Sequence, residues 1–305
     1  MSGRPGSRVR IVGRIAQKSY RKVGELGRRA YGRSSREGHP DATAPPWTPL
    51  PSDGPSVGVL CNICRWRGRA FEGGQHIESL RCPACGGNGR DRFLHWCLAQ
   101  RVDLSPALRV IECSPRLGAA YRTAMATWFF YRTTDYDQRA HAGHLRLDLQ
   151  AIDFPDGGVD VILCAHVLEH VPHTDRALAE LRRVTAPGGH LLLQVPVLQG
   201  CTARPTAPEF HGDDTPVYWR FGFDLTDRLR SHGFTTHLLC TASLARAVKT
   251  RENPWSEWSG EFDVPDMLDR AIAEDLVVVA DDETERWLGF QPGYMYLTWD
   301  CRVVP

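Results

Sequence analysis

The chain has 305 residues, 42% hydrophobic and 24% charged, the balance of a globular protein with room for one sizeable α/β domain and a small module. No apolar run approaches the ~18 residues that span a bilayer, and no signal-peptide core is present. The net charge of +1 hides an asymmetry: residues 1–40 hold 11 Lys+Arg against 2 Asp+Glu, leaving 26 against 34 elsewhere, so charge does not support nucleic-acid binding by the acidic body.

Residues 1–58 read as a basic tail followed by a Pro-rich linker. Val9, Val12, Ile15, Ala16, Tyr20, Val23 and Leu26 fall roughly on one face between basic residues, while Gly13, Gly24 and Gly27 weaken any helix there. Three readings fit: a solvated tail, a surface helix resting on a membrane of anionic lipid or on an acidic partner, and an Arg-rich targeting peptide. Pro40, Pro45, Pro46, Pro49, Pro51 and Pro55 make 38–58 a linker.

Residues 59–89 carry the sharpest chemical signal. Cys61-Asn62-Ile63-Cys64 and Cys82-Pro83-Ala84-Cys85 are separated by 17 residues. Each CxxC turn brings two thiolates to one ion, and two such turns on short hairpins complete a tetrahedral four-sulfur shell around Zn²⁺. A redox-active pair is the competing reading. Such a zinc ribbon has a closed shell and a structural role, holding a segment too small for its own core. Trp66, Arg67, Arg69, Phe71 and Arg81 either touch nucleic acid or simply cover the ribbon. The other six cysteines lie among apolar neighbours, which suits a reducing, cytoplasmic setting.

Residues 90–305 read as an α/β domain. Arg90–Leu104 has helical spacing, with Phe93, Leu94, Cys97, Leu98 and Val102 on one face; Arg109–Cys113 is the first strand, Trp128–Thr134 the second and His144–Leu149 the third. Asp135-Tyr136-Asp137 follows the second strand, where an acid grips the hydroxyls of a ribose in nucleotide-binding sheets. Val159–Cys164 is a strand buried on both faces. Thr174 or Asp175 caps a helix with Leu178, Leu181 and Val184 inward, and Pro187-Gly188-Gly189 turns the chain into an apolar run ending at Val195. This is a right-handed βαβ unit. His166 and His170 follow its first strand, at the edge where open parallel sheets bind ligands.

Further on, Gln199–Pro216 is a polar loop with Glu209, His211, Asp213 and Asp214, suited to meeting a substrate, to holding a second metal, or merely to solvation. Asp224–Leu229 starts a helix stopped at Gly233, leading to strand Phe234–Leu239. Residues 243–291 read as an insertion, with an apolar run Leu276–Val279 suited to an extra strand, and Trp255, Trp258 and Trp287 as either a lid or packing. Tyr294–Val303 alternates as a final antiparallel strand at the sheet's edge.

Phe154-Pro155-Asp156, Val159-Asp160-Val161-Ile162, His166-Val167-Leu168-Glu169-His170-Val171, Leu181-Arg182-Arg183-Val184 and Ala186-Pro187-Gly188-Gly189, in this order, resemble the middle of a class I S-adenosylmethionine-dependent methyltransferase. The resemblance covers roughly residues 105–242 well and the C-terminal strand loosely. It implies a Rossmann-like, seven-stranded, mostly parallel sheet, here preceded by the zinc ribbon. The family's first loop is acidic-x-Gly-x-Gly-x-Gly; here only Glu112 and Gly118 match, with Ser114 and Arg116 at the other glycine positions. A subgroup with an N-terminal ribbon and a Gly-poor loop is similar in this respect.

By that resemblance Glu112, Cys113, Ser114, Gly118, Asp135, Tyr136, Asp148, Leu149 and Cys164 hold S-adenosylmethionine, with Asp148 and Leu149 at the adenine. His166, His170 and His211 are the candidate proton acceptors. The acidic body and short basic stretch favour a small-molecule acceptor such as a sugar or secondary metabolite. An RNA or protein acceptor docked through the ribbon, and a non-catalytic binding module with a decayed cofactor site, are the alternatives.

Overall fold

The structure is a computed structural model that describes residues 58–73, 80–137, 145–197, 199–211, 214–252, 264–290 and 296–304. The basic tail, the linker before Gly58, His144, Asp213, Trp255 and Trp258 lie outside the described residues.

The ribbon comes first, with β1 (Val59–Leu60) antiparallel to β2 (Arg67–Gly68). Helix α1 (Gly89–Arg101) starts at a capping box: the Asp91 N–H donates to Asn88 Oδ1 at 3.1 Å, and the Asn88 N–H donates to Asp91 Oδ2 at 3.0 Å. β3 (Arg109–Cys113), α2 (Ala119–Trp128), β4 (Phe130–Asp135) and β5 (Leu145–Arg146) follow. The chain then returns through β6 (Val159–Ala165), α3 (Thr174–Val184) and β7 (Thr185–Gln194). A small hairpin of β8 (Glu209–Phe210) and β9 (Pro216–Val217) precedes α4 (Leu225–Ser231), β10 (Thr235–Thr241) and α5 (Ala242–Thr250). Last come α6 (Val264–Arg270), β11 (Leu276–Ala280), α7 (Asp282–Leu288) and β12 (Leu297–Arg302).

Among the described residues the main sheet runs β11-β10-β12-β7-β6-β3-β4-β5, with only β12 antiparallel to its neighbours. One face packs on α1 and α2 through Leu94, Leu98, Met125 and Trp128. The other packs on α3 to α6 through Leu178, Leu181, Leu229, Leu244 and Met267. β6 shows why a continuous apolar strand sits mid-sheet: Val161 and Leu163 face the first layer while Ile162 and Cys164 face the second. From β3 the chain steps outward to β4 and β5, then returns to β6 on the other side. The order therefore reverses between β3 and β6, where such sheets open a ligand crevice at their carboxyl ends.

Several expectations are corrected. Among the described residues the sheet has eight strands, because Leu276–Ala280 adds parallel to β10 at the edge. The last strand lies inside the sheet, between β10 and β7. Its alternation of Leu297, Trp299 and Cys301 with Thr298 and Asp300 looks like a half-exposed edge, yet all five are buried. The polar row faces α1 as a buried polar layer: Asp300 takes His190 Nδ1 at 2.7 Å and Arg101 Nε at 2.8 Å, and Thr298 Oγ1 accepts from Gln194 at 2.9 Å. Burial pushes the Asp300 carboxyl up, but His190 and Arg101 outweigh it and hold it below its ordinary range.

Trp128 ends α2 instead of opening β4, where its ring fills the core. The third strand shrinks to Leu145–Arg146. Neither Thr174 nor Asp175 caps α3, which follows His173 without a side-chain cap.

Candidate functional site

Two centres emerge. In the ribbon, Cys61 Sγ lies 3.7 Å from Cys85 Sγ and Cys64 Sγ lies 3.5 Å from Cys82 Sγ, with all four sulfurs within 4.8 Å of one another. A tetrahedral Zn²⁺ with bonds of about 2.3 Å needs sulfurs about 3.8 Å apart, so the quartet fits. The two knuckles repeat one turn. The Cys61 carbonyl accepts from the Arg65 N–H and the Cys61 N–H donates to the Trp66 carbonyl; Cys82 does the same with Gly86 and Gly87. The turn needs a left-handed residue, supplied by Arg65 (φ 63°) and Gly86 (φ 75°). Burial pushes the Cys61 thiol well up, so an anionic quartet here calls for a cation.

The ribbon does not stand apart from the domain. Leu117, in the loop after β3, is buried in one apolar cluster with Cys61, Ile63, Phe71, Leu80 and Cys82. Arg92 of α1 is fully buried against the ribbon. Its Nη1 donates to the Leu80 and Gly87 carbonyls at 3.1 and 3.0 Å, and its Nε donates to the Leu288 carbonyl of α7 at 2.9 Å.

The second centre is the crevice between β3 and β6. Cys113 pairs with Thr134 on one side and Cys164 on the other, so Ser114, Asp135 and His166 emerge from three adjacent strand ends. Ser114 has φ 49° and His166 φ 55°, a conformation that costs L side chains roughly 1–2 kcal/mol. Ser114 thus keeps the glycine-type turn at a glycine position, and its N–H donates to the Thr134 carbonyl at 2.7 Å. Gly118 caps α2 at an unstrained φ of −66°, and a Cβ added there meets nothing within 4 Å. That open space is where a ligand can approach the loop backbone.

The other expected donor-holding residues divide. Asp135 ends β4, is buried, and accepts the Asp137 N–H at 3.0 Å through Oδ1. Tyr136 is exposed, with Arg146 stacked 5.5 Å from its ring. Asp148 sits in a turn beyond β5, taking the Gln150 N–H and side-chain amide at 2.9 and 3.1 Å, and Leu149 is buried beside it. Glu112 is turned into the fold: it accepts the hydroxyl of Tyr131, with Tyr121 as a second partner, and burial raises its pKa to about 7. The Cys113 and Cys164 thiols lie together in the core, which leaves only their backbone at the crevice.

The histidines converge on a residue that sequence reasoning did not single out. Glu169, in the one-turn helix Leu168–His170, is 1% exposed, and neither carboxylate oxygen has a hydrogen-bond partner among the described residues. Its Oε1 lies 3.7 Å from His166 Nδ1 and 3.8 Å from His170 Nε2. The His170 ring meets the His211 ring edge-on at 4.6 Å. Burial and then the nearby Arg90 cation push the His166 imidazole well down, and burial raises the Glu169 pKa to about 7. Nothing in a single sequence marks a glutamate as buried, so Glu169 was hidden inside its own motif.

No second metal cluster forms among the described residues, where only the cysteine quartet converges. Glu209 is instead paired with Arg220 at 2.8 Å. Trp287 lies half-buried in α7. No described helix is long and apolar enough to cross a membrane, and none of the ten cysteines is in a disulfide.

Residues 123–193 match the family model of the methyltransferase domain. The ubiquinone/menaquinone biosynthesis C-methyltransferase UbiE of Burkholderia cenocepacia is 47% identical over 49 residues, 16% of this chain and 20% of that protein. The protein of the same name from Bordetella avium is 44% identical over 64 residues, 21% of this chain and 23% of that one. The aligned stretch thus spans about a fifth of the length of these relatives. Among solved structures, an S-adenosylmethionine-dependent methyltransferase of Mesorhizobium loti covers 71% of this chain and 99% of its own at 15% identity, with a TM-score of 0.41. The family match over 123–193, the motifs of the βαβ unit and the strand order around it make this α/β domain similar to the class I S-adenosylmethionine-dependent methyltransferases.

Proposed function

We propose that the protein transfers a methyl group from S-adenosylmethionine to a small-molecule acceptor in the crevice between β3 and β6. The observation that carries this reading is the convergence of Ser114, Asp135 and His166 at three adjacent strand ends, two of them held in left-handed backbone. When bound, S-adenosylmethionine supplies an electrophilic methyl carbon on a sulfonium sulfur. The chain's own task is alignment and exclusion of water.

The 112–118 loop offers its backbone, Asp135 accepts from the ribose hydroxyls, and Leu149 gives the adenine an apolar face beside Asp148. Glu112 serves by anchoring the loop through Tyr131 and Tyr121 rather than by reaching the donor. His166, neutral through burial, takes a proton from the acceptor, with His170 and His211 behind it. The cysteine quartet holds a structural Zn²⁺ that steadies the loop through Leu117. A small acceptor is favoured over RNA by the acidic body.

Calorimetric titration of the purified, zinc-loaded protein with S-adenosylmethionine and S-adenosylhomocysteine tests the reading. Micromolar binding of either supports it. Absence of both from a folded sample overturns it and leaves a binding module built on the same fold.

A further inference from the structure

Two segments of the chain carry opposite charge. Residues 1–40 hold 11 Lys+Arg against 2 Asp+Glu, whereas residues 243–290 hold 12 Asp+Glu against 5 Lys+Arg. Beyond residue 40 the balance is 26 against 34, so 243–290 carries −7 of a total of −8 and the rest of the body is nearly neutral. The fold gives this acidic segment a shape. A groove of about 690 Å³ opens between the ribbon and helices α5 and α7. Phe71 and Leu80 of the ribbon, Ala247 of α5 and Phe290 beyond α7 supply its apolar lining, and Glu252, Asp282 and Glu285 bring acids to it.

The acids are not equivalent. Glu285 is buried and spends both oxygens on Ser243, whose N–H and hydroxyl donate at 2.8 and 2.7 Å. The bases on the rim are already engaged: Arg246 with Asp282 at 2.6 Å, and Arg286 with Glu283 at 3.7 Å. Arg251 is turned to α6, where it lies 3.6 Å from Asp269. Four exposed acids, Glu252, Asp281, Asp282 and Glu283, therefore outweigh Arg246 and Arg286 at this end of the groove.

The chain enters at the same place. Val59 of β1 lines the groove, so the Pro-rich linker ahead of it begins there. At about 3 Å per residue such a linker reaches some 50 Å, enough to lead back to the groove. In the head, Val12, Ile15, Ala16 and Val23 recur on one side between Arg and Lys residues, an apolar stripe with basic flanks. Exposed ion pairs are individually weak, so an apolar lining is what seats such a stripe, while the acids choose its charge. Tethering raises the local concentration of the head to about millimolar.

We propose that the groove between the ribbon and α5–α7 is a docking site for the chain's own basic head, residues 1–40, bound in cis. The acidic partner suited to the head is then this protein itself, and the seated head bridges the ribbon to the C-terminal segment. The crevice between β3 and β6 has no part in it.

The chain has three lysines, Lys18 and Lys22 in the head and Lys249 in α5, which makes carbodiimide coupling of the full chain a selective test. The reagent joins a lysine amine to a carboxylate as an amide, the displaced oxygen leaving in the urea, where the two groups already touch. An equal mixture of ¹⁵N-labelled and unlabelled chains is coupled, digested and read by mass spectrometry. The expected links join Lys18 or Lys22 to Glu252, Asp281, Asp282 or Glu283 of the same chain. The variants are compared at the salt concentration that halves the wild-type yield. In Glu252→Gln with Glu283→Gln, links to the remaining Asp281 and Asp282 should fall roughly threefold. In Val12→Ser with Ile15→Ser, which leaves the charge unchanged, they should fall about tenfold. Links between labelled and unlabelled chains at the groove would make it a contact between two copies and overturn docking in cis. Links from Lys18 and Lys22 only to carboxylates elsewhere, or no links at all, overturn the site. An unchanged yield in either variant overturns the seating of the head by that part of the groove.

Discussion

The Arg92 guanidinium lies 3.5 Å over the centre of the Phe71 ring, joining the first helix of the domain to the ribbon. The same side chain donates to carbonyls of Leu80, Gly87 and Leu288, so one buried cation ties three parts of the chain together. Arg92→Met keeps the bulk and removes the guanidinium donors to three carbonyls, of which Gly87 keeps the Cys82 N–H. Chemical denaturation should show a loss of roughly 2–4 kcal/mol. Arg92→Lys should recover little, because an ammonium cannot span carbonyls on separate segments. A loss under 1 kcal/mol would mean that water replaces the guanidinium.

The cysteine quartet predicts about one zinc per chain by metal analysis. Cys61→Ser with Cys82→Ser should abolish it. Because Leu117 is part of the ribbon's apolar cluster, the zinc-free variant should also bind S-adenosylmethionine at least tenfold more weakly. Retention of zinc by the double variant would contradict the four-sulfur site, and unchanged donor affinity after its loss would show that the loop stands without the ribbon.

Asp135 and Asp137 are two residues apart, but only Asp135 is buried at a strand end beside Ser114. Asp135→Ala should weaken S-adenosylmethionine binding tenfold or more, and Asp137→Ala by no more than about twofold. Calorimetry on both variants decides the matter, and the reverse order would place the ribose elsewhere.

The raised pKa of Glu112 makes a signed prediction. An unfolded glutamate ionises near 4.3 and the folded one at about 7, so the folded state holds an extra proton between those values. Stability from this group is therefore full at low pH and declines as pH rises from about 4 to 7. Glu112→Gln keeps an acceptor for the tyrosine hydroxyls and removes the titration. Relative to wild type, the variant should gain roughly 3 kcal/mol on going from pH 4 to pH 8. Denaturation midpoints at several pH values will show it, and parallel curves for the two proteins would contradict it.

The amino-acid sequence by itself determined the local and covalent parts of this protein. CxxC spacing dictates a four-sulfur shell because two tight turns can present their thiolates in few other ways. The βαβ unit was legible because an uninterrupted apolar strand, a helix with Leu178, Leu181 and Val184 inward and a Gly-Gly turn each write a distinct period. Tertiary structure decided what depends on the other side of a surface. Thr298 and Asp300 alternate like solvent-facing residues, and only the packing of α1 over β12 makes them a buried polar layer. Glu112 has the motif of a ligand-binding acid, yet two tyrosines from β4 and α2 enclose it. Glu169 differs from any solvated glutamate only in its burial between two histidines, a property of the assembled fold and not of chain order.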